Sequence, residues 1–223
     1  MKIRTIEELQ DAIDGEMAWR KRELTAIKAN ISEARLFAKS TALRSGIALL
    51  YAHWEGSVKN IASYYLSYVS NLKLPYNRLK NNFLAIAVKE SLKTFEETGK
   101  STLHTNIVNE IFDSFDKKSC IPQEGIIKTN SNLSSEIFIE IMATIGLSYE
   151  LYESSFKLLD EVLLNMRNKI AHGERMEYLS LDELRYNEIH EKIFFLMNTF
   201  ATQVSNAAVL KEYLAEVSLQ RNC

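Results

Sequence analysis

An all-α protein is the fold class this sequence predicts, and three observations carry it. The first is a scarcity of breakers: seven Gly and two Pro in 223 residues, about 4% against a usual figure of roughly 12%. These residues make tight turns and interrupt helices, so a chain that largely omits them favours long helical runs. The second is periodicity. Leu43, Ile47, Leu50, Trp54, Val58, Ile61, Tyr65 and Val69 recur at steps of three and four, the spacing of one helical stripe. The third is size. A chain of this length, 46% hydrophobic, can bury one sizeable core or two small ones, and residues 1–223 read as a single domain.

The elements follow in order. Thr5-Ile6-Glu7-Glu8 has the capping-box form, a hydroxyl at the N-cap and a carboxylate three residues on. From there to Ser40 the only breaker is Gly15, which predicts one long first helix. The Trp54 stripe makes a second, ending before Pro75 because the residue preceding proline avoids helical geometry. Residues 75–135 are expected as a less regular insertion, with helical patterning to about Glu97 and again over Thr105–Phe115. Within it, 116–134 holds Pro122, Gly125 and an Asn/Ser cluster and reads as loop, with Ile126-Ile127 as a short extended piece. Ser134 or Ser135 caps a helix through Ile145. Over 154–208 the patterning predicts an antiparallel helix pair. Phe156, Leu159, Leu163, Met166 and Ile170 form the first stripe, with Gly173 as its stop. Ser180-Leu181-Asp182-Glu183 is a second capping box, opening a helix with Ile189, Ile193, Leu196, Phe200 and Val204 on its core face.

Composition also narrows function. A net charge of −2 argues against gripping duplex nucleic acid by bulk electrostatics, leaving only local basic clusters, Arg20-Lys21-Arg22 and Lys73 to Lys93. Two cysteines, Cys120 and Cys223, give neither a disulfide framework nor metal spacing, as expected in a reducing cytoplasm. The polar start of the chain predicts no signal peptide, and apolar runs are too short to span a bilayer. There is no ligand-spaced His, Cys or carboxylate cluster, so no metal is expected. Nor is there a glycine-rich phosphate loop or Gly-x-Ser-x-Gly elbow; no cofactor is implied. His53, one residue from Trp54, reads as structural, and His104 and His190 as surface residues.

The chemistry concentrates in "RNKIAHGE", residues 167–174. On an unbroken helix Arg167 and His172, five apart, diverge by about 140°. Fraying near Ile170 or Ala171 would let His172 swing back. A plainer reading is that Arg167, Lys169 and His172 complement the negative helix C-terminus. The segment resembles the signature of HEPN domains, Arg-x(4–6)-His with Asn, Asp or His directly after the arginine, and Arg167, Asn168 and His172 match all three positions. "ALLYAHWEGSVKNIASYY" (48–65) and "IKTNSNLSSEIFIEIMATIGL" (127–147) are similar to other recurrent segments of the stand-alone MAE-type, RiboL-PSP-like group of HEPN nucleases. The resemblance spans most of the chain.

It implies a HEPN-type helical bundle that dimerises and cleaves RNA without metal, in a toxin or antiphage defence setting with a cognate antitoxin or defence partner. The residue types suit that chemistry. Attack of the 2′-OH on its neighbouring phosphate needs proton transfer, which an imidazole such as that of His172 supplies, and a cation for the phosphate, which Arg167 supplies as a planar fork. Asn168 would orient either group or the substrate. A homodimer would supply the second proton-transfer group. Glu55, on the flank of the second helix with Arg44, Tyr51 and Lys59, could pin Arg167 or His172, or simply pair with Lys59. The alternative function is a catalytically silent HEPN module that binds nucleotide, RNA or a protein partner.

Overall fold

Thr5 opens the first helix as its spacing predicts: its hydroxyl accepts the Glu8 N–H at 3.1 Å. The return bond differs from a standard box, with Glu8 accepting from the Arg4 N–H at 2.6 Å instead of Thr5. The computed structural model describes residues 2–174 and 181–215. Its helices are α1 (Ile6–Glu33), α2 (Leu36–Asn71), α3 (Asn81–Glu97), α4 (Ser101–Ser114), α5 (Ser135–Ile145), α6 (Asn165–Ala171) and α7 (Glu183–Val209). Short 3₁₀ turns lie at Tyr76–Arg78 and Glu150–Ser155, and a π-helical stretch, Leu158–Leu164, runs directly into α6. Among the described residues there is no β-strand, only two isolated bridges, Pro75 with Lys118 and Leu79 with Leu214. The protein is all-α.

The single first helix expected through Ser40 breaks at Ala34-Arg35, where Ala34 is extended at φ −65°, ψ 132°. No Gly or Pro marks the break. Lys39 stabilises it by donating to the Ile31 carbonyl at 2.7 Å and Ser32 at 3.3 Å, closing the C-terminus of α1. The chain then folds back, and α1, α2 and α7 form the main bundle, α7 lying against both of the others. The Trp54 stripe of α2 and the Ile189–Val204 face of α7 are buried as predicted. Phe138 of α5 fastens the second side of α2, with ring centroids 5.6 Å from Trp54, 4.7 Å from Tyr152 and 6.0 Å from Phe200. Such pairs each contribute about 0.5–1.5 kcal/mol beyond area burial.

Several expectations need correction. Residues 154–208 hold two helical segments, but not as a mutual pair: the π stretch and α6 pack on α2, while α7 packs on α2 and α1. The N-cap of α7 is Asp182, which accepts the Arg185 N–H at 2.7 Å; Ser180 lies outside the described residues. Within 75–135, α3 and α4 are regular and only 115–134 is irregular, as the Asn/Ser cluster predicts. Ile126-Ile127 is a turn, not an extended piece, because Gly125 at φ 68° reverses the chain before it. His190 is buried, since it follows Tyr186 by one helical turn on the inner face of α7. His104 is half-buried at the end of α3, its Nε2 2.7 Å from the Thr98 carbonyl and its ring stacked 4.1 Å from Phe95. Among the described residues no helix is long and apolar enough to cross a membrane.

Candidate active site

Three pieces of chain meet around Arg167: the flank of α2, the turn 129–133, and the π/α6 segment that carries the arginine. Packing sets their order. The π geometry lets Asp160 accept both the Ser135 N–H (2.8 Å) and its hydroxyl (2.5 Å) at the start of α5, where the helix dipole favours a carboxylate. Ser134 caps the same helix through the Ile137 N–H at 3.3 Å. The preceding turn is thereby tied to the segment bearing Arg167.

That turn has an uncommon backbone. Asn130 and Ser131 both have positive φ, 53° and 54°, and the Asn132 N–H donates to the Thr129 carbonyl at 3.0 Å. Asparagine tolerates the left-handed region; for serine the conformation costs about 1 kcal/mol or more. The result aims the Ser131 carbonyl at Arg167, whose Nη2 donates to it at 2.7 Å. Nη1 donates to Asn168 Oδ1 at 2.7 Å, and Asn168 Nδ2 reaches Asn132 Oδ1 at 3.4 Å. The guanidinium lies over the Tyr51 ring, 4.4 Å from its centroid, a cation–π contact of about 0.5–2 kcal/mol. Tyr51 is itself fixed, 2% exposed, its hydroxyl accepting the Leu133 N–H at 2.5 Å. Burial and the facing Glu55 carboxylate push this phenol up to about 12, so it stays neutral at ordinary pH.

Arg167 therefore meets only neutral acceptors. Among the described residues no carboxylate forms an ion pair with it, and its positive charge is unneutralised at a half-buried position. Glu55 takes neither contact expected of it: it makes no ion pair with Arg167, His172 or Lys59 among the described residues, and acts on the site through Tyr51 instead. The reason is geometric, since the Tyr51 ring stands where the guanidinium rests.

His172 ends α6 as its C-cap, φ −83°, ψ 3°. Gly173 follows in the left-handed region at φ 77°, with its N–H bonded to the Ile170 carbonyl and that of Glu174 to Lys169, both at 3.0 Å. This is a Schellman closure, which only glycine makes without strain. Arg44 reinforces it, donating to the carbonyls of Ile170 (3.3 Å) and Glu174. The sequence placed Arg44 on this flank without a role; cation-to-carbonyl capping supplies one. The His172 side chain is exposed and makes no hydrogen bond to Arg167 within the chain. The helix does not fray as far back as Ile170, so Arg167 and Asn168 come together with Tyr51, and His172 stands apart at the rim.

His53 lies elsewhere, buried between α2 and α1. Its Nδ1 is 3.2 Å from Arg20 Nη1 and its Nε2 3.1 Å from Glu23; burial, then Arg20, push its pKa below the usual histidine value. Of the basic clusters, Arg20 is buried, and Lys73 and Lys80 donate to the carbonyls of Ser119 and Gly146, so neither cluster is a charged surface patch.

No curated protein matches the chain, and no solved structure does. A family model does match, that of RiboL-PSP-HEPN, over residues 16–206. The match includes α2, the 129–133 turn and the Arg167–His172 segment, and the chain belongs to the RiboL-PSP-HEPN family.

Proposed function

We propose that the protein is a metal-independent endoribonuclease that acts as a homodimer on single-stranded or loop RNA. The observation that carries this reading is the Arg167 guanidinium, oriented by Tyr51, Ser131 and Asn168 yet left without a counter-charge. An anionic phosphate is the ligand such a fork suits best. In the proposed reaction the 2′-oxygen bonds to phosphorus as the bond to the 5′-oxygen breaks, leaving a 2′,3′-cyclic phosphate and a 5′-OH. One imidazole takes the 2′-OH proton and a second protonates the leaving oxygen. A single chain offers one His172, so His172 of the partner subunit would supply the other across a two-fold axis. Unpaired RNA fits because in-line attack needs a flexible backbone. The cellular setting we propose is cytoplasmic, as a toxin or antiphage defence component with a cognate antitoxin or partner.

A second reading, a silent binding module, is favoured by one feature: His172 and Arg167 do not touch within the chain. The test is labelled single-stranded RNA incubated with the purified protein in excess EDTA, beside His172→Ala. Cleavage to cyclic-phosphate ends by the parent, reduced about 10²–10⁴-fold in the variant, is the expected result, with light scattering giving twice the chain mass. Equal cleavage by both proteins sinks the assignment, and a monomer removes the shared cleft.

A further inference from the structure

A groove opens beside the Arg167 site that none of the reaction above uses. It lies between the flank of α2, at Lys59 and Ser63, and the loop from Gln123 to Ser131, with a volume of about 550 Å³, inside the roughly 300–1,000 Å³ usual for ligand sites. Ser131 belongs to both places: it lines the groove, and its carbonyl holds Arg167. The groove therefore runs up to the guanidinium. Lys59 and Lys128 stand exposed on its walls, and among the described residues neither forms an ion pair or side-chain hydrogen bond. Against them stands one acid, Glu124. The remaining lining is polar or backbone, and it includes no aromatic ring.

We infer that this groove holds the sugar–phosphate backbone of the RNA strand next to the scissile linkage, with Lys59 and Lys128 on successive phosphates; the inference rests on the nuclease reading. Continuity with Arg167 supplies direction, since a strand whose reacting phosphate sits on that guanidinium has its neighbouring phosphates within the groove. The lysines supply charge, and charge without stacking surfaces reads backbone and not base. An acidic peptide would need apolar pockets for its side chains, and the apolar lining residue Ile127 is buried. The loop is stiff enough to present a fixed surface. Ile121, Ile127 and Leu133 are anchored in the core, and Ser70 donates to the Ile121 carbonyl at 2.9 Å.

The test uses the full chain with His172→Ala, so that RNA survives, and measures binding of end-labelled oligo-U and oligo-A by anisotropy between 50 and 200 mM salt. It compares that protein with the same chain carrying Lys59→Gln and Lys128→Gln. The expected result is weaker binding of both oligonucleotides and a salt slope shallower by about 1.4, roughly 0.7 per phosphate contact on a single strand. In the cleaving parent, the lysine changes should raise KM with kcat at saturation retained. Unchanged affinity and slope, loss confined to one oligonucleotide, or no RNA binding at all would each overturn the groove assignment. The nuclease reading fails separately, on cleavage that persists without His172.

Discussion

Two arginines in this molecule sit on aromatic rings and differ in everything else. Arg20 lies 4.5 Å from the Trp19 ring centroid and Arg167 lies 4.4 Å from that of Tyr51. Arg20, 4% exposed, is fully enclosed between α1 and α2. Its Nε donates to Glu16 at 3.0 Å and its Nη1 to the His53 carbonyl at 3.2 Å, while Asn60 also donates to Glu16, at 2.6 Å. Burial alone would raise the Glu16 carboxyl; hydrogen bonds from Arg20, Asn60 and Trp19 outweigh it and hold the group below the usual carboxylate range. Gly56 makes room, since a Cβ there would meet Arg20 Nη2 at 2.7 Å. Arg167 has the same stacking but no acid and no enclosure. Stacking fixes where a guanidinium points; whether its charge is answered decides if it serves the fold or remains open to an anion.

Three measurements sharpen or break this contrast. The largest effect is expected from Arg20→Ala, which strands the Glu16 carboxylate in the core and should cost about 3–5 kcal/mol in a urea titration. A cost under 1 kcal/mol would mean the pair is not structural. Next is Arg167→Lys, which keeps the charge but loses the fork between Ser131 and Asn168. Cleavage should fall about 10²-fold with the melting temperature nearly unchanged, and a large loss of stability instead would make Arg167 a second Arg20. The smallest concerns Tyr51. Its phenol is raised in the folded protein to about 12 from an ordinary value near 10, so it favours the folded state fully below pH 10. That contribution disappears as pH rises through 12. Tyr65, Tyr68, Tyr152 and Tyr186 are raised as well, chiefly by burial. Stability should therefore decline from pH 10 upward, and Tyr51→Phe should make that decline shallower by on the order of 1–2 kcal/mol at pH 12. An unaltered alkaline limb would show that the ring is not held as described.

The same contrast explains what could be read from residues alone. Side-chain periodicity announced α2 and the inner face of α7, and glycine, the one residue at ease with φ 77°, announced the stop after His172. The arginine and histidine were visible by type and spacing. Their surroundings were not, because the partners of Arg167 are a backbone carbonyl 36 residues away and the face of a ring on another helix. The Asn130-Ser131 cluster carried a partial signal, as asparagine often marks left-handed turns. Nothing local marked the break at Ala34-Arg35, which a lysine on the following helix sustains, and Arg20 looked like part of a basic surface run because the acid that answers it is shared with Asn60 of α2.

The π-helical stretch before the motif has its own consequence. Over Leu158–Leu164 the helix is wound wide, and the Asn165 N–H reaches back five residues to the Asp160 carbonyl, so the segment holds more residues than a regular helix of that span. Each residue of an α-helix turns the chain by about 100°. Deleting one residue here would let the stretch relax to ordinary winding and rotate everything after it by roughly that angle. Arg167 would leave the Tyr51 ring although every letter from 165 to 173 stayed the same. Among related chains, a one-residue gap in this stretch would thus mark a motif intact in spelling and lost in space.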